Sequence, residues 1–474
     1  MFSTVVGWIK SIIDKLLLKD SDSKNISKDI PVSDEMKQSI DLWEKMYKGQ
    51  APWINDDVKS LNLEADICTE FARLIMLEHK SELTGSTKSE YIYKEYKKVL
   101  KELKDSKLEL MLATGGLVLK PYVNNKKLCT DIIQVNKFIP LSFNSNGIVT
   151  SGIGIAQNTI GKIIHTRLEH HVFNEGLRTH TIYNRCYESD NENELGKEIN
   201  IKQTIWSDLA PIATIEHVDR PLFVYIKVPL ANNIDTESPL GVSIFSRAVD
   251  KIKKADIQYG RVDWEYEASE KAVMVDELAL RESDGKTPLK NTIDKLKDRM
   301  YKTFNTDKND FYKEYSPEIR DEAYWRGLNR HLERIEFSCQ LAYGTLSEPT
   351  YSDKTAEEIK TSKQRSFSAV SKLQENLQTA LEHLVYIYDV LTSLYKLAPE
   401  GKIEQSNEWD DSLIVDSESE QRIRQQEVRE GLRTKVSYLM YRYGFTEEQA
   451  RKELEAIKQE KIEAEKSLFN QQEE

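Results

Sequence analysis

Cysteine is scarce: the 474 residues hold four, Cys68, Cys129, Cys186 and Cys339. They are widely separated and form no Cys-x-x-Cys pair, which excludes a disulfide framework and fits synthesis in a reducing cytoplasm. Long apolar runs are missing too. The nearest approach is residues 1–18, where Phe2, Val5, Val6, Ile9, Ile12, Ile13, Leu16 and Leu17 recur at helical spacing. Lys10, Asp14 and Lys15 interrupt the segment, whereas a spanning helix needs about 20 predominantly apolar residues and a signal peptide an unbroken apolar stretch. An amphipathic helix docking on protein is expected, a membrane surface being the less favoured partner. An excess of positive charge is also lacking. Lys plus Arg number 67 against 79 Asp plus Glu, a net charge of −12, which argues against a broad basic surface wrapped in nucleic acid.

Catalytic signatures are absent as well. No Gly-x-Ser-x-Gly or His-Glu-x-x-His occurs. The stretch Gly154 to Lys162 imitates a phosphate-binding loop, but six residues separate its glycines where four are needed, and Ile163 replaces the metal-binding hydroxyl. His165, His170, His171 and His180 lie close in sequence. Strand alternation puts His165 and His171 on one face and His170 on the other, so sheet-surface histidines are expected rather than a metal site. The expectation is a protein that is not an enzyme and carries no cofactor or metal.

What is present is periodicity. Apolar residues at helical spacing predict helices at 65–79 and 91–112, ended by Gly115-Gly116. Strand-like stretches follow at 117–123, 132–135, 161–173, 179–187 and 223–228. Beyond Ser238-Pro239 the pattern returns to helix over 241–268, then becomes strand-like at 272–280 and 310–315. A second helix is expected over 317–344, opened by Pro317 and ended by Gly344, with Trp325, Leu328, Leu332, Ile335, Cys339 and Ala342 along one stripe. A polar loop with Pro349 precedes a very long helix over 355–396. Arg326, Arg330 and Arg334 repeat at i+4 and line one side of the second helix. In one chain they read as a solvated face; around an axis, each becomes a ring. The fold class is α+β, mainly helical.

The succession of helix, small β insertion, helix, polar loop and very long helix resembles the bacteriophage portal proteins, the head-to-tail connectors of tailed phages. Local strings support the resemblance along nearly the whole chain. Ser238-Pro239-Leu240-Gly241 through Arg247-Ala248 is similar to the family's entry to its first stem helix. Leu168-Glu169-His170-His171 and Ile182-Tyr183-Asn184-Arg185 resemble its β segment, and Lys354-Thr355-Ala356-Glu357-Glu358-Ile359 the start of its long helix, with Glu357 where a small residue or Thr is expected. Trp409-Asp410-Asp411-Ser412-Leu413-Ile414-Val415-Asp416, Gly431-Leu432-Arg433-Thr434-Lys435 and Gly444-Phe445-Thr446-Glu447-Glu448-Gln449-Ala450 resemble its closing strand and terminal helices.

The resemblance implies a ring, normally a homododecamer, at one capsid vertex, enclosing a channel for double-stranded DNA packaging and ejection. It divides the chain into an N-terminal arm (1–35), a mixed wing (36–238), stem helix 1 (239–269), a clip (270–316), stem helix 2 (317–344), a tunnel loop (345–354), the wing's long helix and closing strand (355–416) and crown helices (417–474). The expected channel loop is Thr345, Leu346, Ser347, Glu348, Pro349, Thr350, Tyr351, Ser352, Asp353 and Lys354. Arg326, Arg330 and Arg334 are candidate channel-lining residues, and Trp409, Asp411, Leu413 and Val415 candidate subunit contacts. Implied partners are further copies of the chain, DNA, the large terminase subunit, head-completion adaptor and tail proteins, and the major capsid protein and scaffold; a membrane is not among them. Assembly in the host bacterial cytoplasm and residence in the virion are implied, with the packaging ATPase a separate protein. The alternative is a cytoplasmic helical scaffold or adaptor unrelated to phage, its long helix a coiled coil, but the Tyr and Thr within its apolar stripe and the flanking β modules fit that poorly.

Overall fold

The computed structural model describes residues 33–77, 79–191, 194–269, 272–276, 301–304, 312–315, 318–348, 356–409 and 417–470. Helix accounts for 47% and strand for 23%, so the chain is mixed with helix in the majority. It divides into two compact units, 1–408 and 409–474.

The first unit opens with α1 (Asp34–Tyr47), begun by the Ser33 side chain accepting from the Met36 amide. Met36, Ile40, Trp43 and Met46, three or four residues apart, form its buried stripe. Helix α2 (Leu63–Met76) follows, then strand β1 (Lys80–Thr84) and helix α3 (Thr87–Glu102), which Ser86 and Ser89 start with a reciprocal capping box. The helix expected over 91–112 is interrupted by a π-helical turn, Leu103–Lys107, before α4 (Leu108–Thr114). The wider turn keeps both Leu103 and Leu108 in the core.

Two sheets carry the core. One has the order β10-β2-β3, from β2 (Gly116–Asn124), β3 (Lys127–Gln134) and β10 (Val224–Lys227). The other is antiparallel, β4-β5-β6-β7-β8, from β4 (Phe138–Phe143), β5 (Val149–Ile160), β6 (Ile163–Asn174), β7 (Thr179–Ser189) and β8 (Lys197–Ile199), with β9 (Ile212–Glu216) also on β7. Strand β5 is twelve residues long, and its Gly152, Gly154 and Asn158 conceal it in the sequence. The glycine is needed: a Cβ on Gly152 would lie 2.3 Å from the Phe138 ring. The stretch that imitated a phosphate loop is therefore strand, turning at Gly161 with φ +65. The four histidines are not on the sheet surface. His165, His170, His171 and His180 are all buried, because both faces of this sheet are covered.

From β10 the chain runs without α-helix to residue 248, ending in a 3-10 turn at Ser246–Ala248, so the helix expected over 241–268 starts later than Ser238-Pro239 suggests. Leu240, Val242, Ile244 and Phe245 are buried there without helix. The segment is threaded against the end of α4: the Ile244 amide donates to the Leu112 carbonyl at 2.9 Å. A Cβ on Gly241 would stand 2.1 Å from the Gly115 carbonyl oxygen, so this crossing requires glycine.

Helix α5 (Val249–Ala268) leads into a three-stranded sheet of β11 (Ala272–Asp276), β12 (Tyr301–Phe304) and β13 (Tyr312–Tyr315), with β11 central. Helix α6 (Asp321–Cys339) returns and packs on α5. It ends at Gln340 in the left-handed conformation, φ 64, rather than at Gly344, which lies in the turn beyond. Helix α7 (Ala356–Leu394) has 39 residues, close to the expected span. Its buried stripe includes Val370, Leu373, Leu377, Leu381, Leu384, Tyr388 and Leu391.

Strand β14 (Glu404–Glu408) pairs with β1, Lys80 opposite Glu408. It precedes Trp409, which is half-buried; the rest of the closing strand expected over residues 409–416, with Asp411, Leu413 and Val415, lies beyond it outside the described residues. The second unit consists of α8 (Ser417–Arg429), α9 (Lys435–Tyr443) and α10 (Glu447–Asn470). Thr434 caps α9, Gly444 ends it, and Arg424 stacks on Tyr441 at 3.6 Å.

Candidate functional site

Helices α5 and α6 form a charged pair over an apolar seam. Ile252, Ala255 and Val262 of α5, and Leu328, Ile335 and Cys339 of α6, are buried. Gln258 of α5 donates to the Tyr324 carbonyl at 3.3 Å, directly above Gly327, where a Cβ would come within 3.3 Å of that amide. A two-pronged Arg320–Glu265 bridge, 2.9 and 3.1 Å, fastens the end where the β insertion leaves. Arg320 also holds the Glu265 carboxyl below its usual range. Beside this bridge Trp264, Tyr266, Ile319 and Trp325 are exposed, Trp264 to 61%.

Arg326, Arg330 and Arg334 are all exposed on α6, and Arg330 meets Glu333 at 3.4 Å. Lys253 and Lys254 are exposed on α5. The two sets act on one group: His331 is pushed below its usual value by burial first, then by the charges of Lys254 and Arg334. This positive surface thus spans both helices.

The loop after α6 does not project freely from its start. Glu336, 1% exposed, accepts from the amides of Gly344 (3.3 Å), Leu346 (2.6 Å) and Ser347 (2.8 Å), and from the Ser347 hydroxyl (2.9 Å). Asn329 exchanges two hydrogen bonds with the Glu348 backbone, 2.7 and 3.2 Å. Residues 345–348 are therefore strapped along α6, and Ser347, expected as a channel contact, is buried. Thr345 and Glu348 are exposed; Pro349, Thr350, Tyr351, Ser352, Asp353 and Lys354 lie outside the described residues. Glu336 sits in a run of apolar neighbours, so only the helical face on which it falls signals its inward position.

A second charged group lies between the two sheets, where sequence reading assigned no ions. Glu169 accepts from Lys120 at 2.7 Å, meets Arg167 at 2.9 Å, and faces His171 at 3.3 Å. Burial alone would raise its carboxyl, but Lys120, His171 and Arg167 outweigh it and hold the group well below the carboxylate range. His171 Nδ1 lies 3.0 Å from His180 Nε2, and His180 Nδ1 accepts from the Leu222 amide at 3.4 Å. That amide sets the tautomer of neutral His180, whose Nε2 carries the hydrogen and donates to His171 Nδ1. Burial, then His171, pushes His180 well below its usual value, which keeps His180 neutral. The group ties β2 to β6 and β7.

Lys120, Arg167 and Glu169 border a polar cleft of about 480 Å³ that also includes Lys107 and Lys137. An apolar cleft of about 590 Å³ adjoins it. Among the described residues no group of three or more His, Cys, Asp and Glu is placed to hold a metal ion, and no helix is long and apolar enough to cross a membrane. No protein-family model matches the chain, and no curated protein is similar to it in sequence.

Proposed function

We propose that the chain is a portal protein of a tailed bacteriophage, a non-enzymatic subunit of a ring whose channel passes double-stranded DNA into and out of the capsid. The supporting observation is the order of parts: α5, a small three-stranded sheet, α6 packed back on α5, a strapped loop, then a helix of 39 residues. An unrelated helical scaffold gives no reason for a β insertion between two paired helices. In this reading α5 and α6 form the stem, β11 to β13 the clip, and α8 to α10 the crown. The exposed Arg326, Arg330 and Arg334 face the DNA, where contacts to phosphate position the duplex without reading its sequence.

The small insertion has little core of its own, so its edges pair with those of neighbouring subunits. That surface receives the large terminase subunit during packaging and the head-completion adaptor afterwards, while the ring meets the major capsid protein and, during assembly, the scaffold. Negative-stain microscopy and native mass spectrometry of the purified full-length chain test the reading. A closed ring with a central hole is expected; monomers and dimers alone, at high concentration in several buffers, would overturn it.

A further inference from the structure

The apolar cleft beside the ionic group has no occupant among the described residues. Ile40 of α1, Val135, Phe138 of β4, Ile155 of β5 and Leu240 form its apolar wall. Lys37, Asp41 and Glu44, also of α1, supply charges of both signs. We propose that this cleft is the docking site of residues 1–18 of the same chain, bound as an amphipathic helix.

Three observations converge on that occupant. The first is chemical: the segment repeats Phe2, Val5, Val6, Ile9, Ile12, Ile13, Leu16 and Leu17 at helical spacing. A cleft of about 590 Å³ takes roughly three such side chains, the number that one helix face presents as i, i+3 or i+4, and i+7 anchors. The second is position. Helix α1 begins at Asp34 and itself contributes wall residues, so the chain enters the described region at the cleft. Residues 19–32 span up to about 45 Å when extended, ample for a return to it. The third is charge: the segment carries only Lys10, Lys15 and Asp14, whereas a helix held on an anionic bilayer needs a Lys- and Arg-rich polar face.

The proposal does not depend on ring formation, and its test is independent of it. In the full-length chain, Ile9 is replaced by photoreactive benzoylphenylalanine, the sample is irradiated, and the linked peptides are mapped. Links within one chain to residues 37–44, 135–140 or 155–157 are expected. Ala156→Arg, which adds bulk to the cleft from a half-buried position, should lower their yield at least fivefold. Ile13→Glu, which leaves the cleft untouched, should do the same and guards against an unfolded Ala156 variant. Absence of links, links elsewhere, links between copies, or links that form only with anionic vesicles would each overturn the assignment.

Discussion

Glu336 and Glu64 show how much one buried carboxyl decides. Glu336→Ala removes the acceptor for three amides and a hydroxyl, leaving donors that the fold hides from water. A loss of about 3 kcal/mol in urea denaturation is expected, with faster hydrogen exchange at Leu346 and Ser347. A loss below about 1 kcal/mol would mean that water replaces the carboxyl. Glu64 is 1% exposed in the first turn of α2. Burial, then Asp256 and Asp66, pushes its carboxyl up to about 8 from the usual 4.5. An unfolded chain releases that proton near 4.5 and the folded chain retains it to about 8, so over this range the unfolded state binds fewer protons. Stability should therefore fall as pH rises through that window, by up to about 5 kcal/mol, and level off above it. Glu64→Gln should flatten the decline; an unchanged slope would show that the carboxyl reaches water. Neither role was legible in sequence. An acid in a first helical turn ordinarily faces solvent and complements the helix dipole, and only the tertiary packing around α2, chiefly by α4, makes Glu64 an interior residue.

Among the elements, α7 was legible because apolar residues repeat over about six turns, from Val370 to Leu391, and no other conformation buries them together. Strand β5 was not, since its glycines carry no strand preference, and Gly152 serves the close approach of Phe138. The start of α5 was misplaced because residues 240–248 are apolar for a different reason: they fill the space between α4 and the helix pair. Helix α5 contains a further instructive case. Gly260 within a helix normally costs about 1 kcal/mol relative to alanine, yet a Cβ there would lie 2.5 Å from the Asp57 carbonyl oxygen. Gly260→Ala should therefore destabilise the protein by about 1–3 kcal/mol despite its better helix propensity. Thermal melting that rises instead would show that the 51–62 loop moves aside at little cost.

For the whole molecule, the proposed ring is what would give the charged surface of α5 and α6 its meaning, and one chain's sequence bears on it only through the order of its parts. Arg326→Ala, Arg330→Ala and Arg334→Ala combined should leave ring formation intact, because all three side chains are exposed. The amount of DNA packaged in a reconstituted reaction should fall several-fold; unchanged packaging would remove the row from the channel. Helix α7 has a mechanical consequence. Its 39 residues measure about 58 Å. Its side chains tie it at both ends of the described stretch: Arg365 lies over the Phe337 ring and donates to the Leu341 carbonyl just beyond α6, while Asn376 reaches the Lys227 carbonyl, His383 the Pro221 carbonyl, Tyr386 the Asp219 amide, Tyr388 Thr130 and Asp389 buried Lys88. Such a rod is a strut rather than a free arm, so a displacement at the end of α6 is passed along it to the β10-β2-β3 sheet.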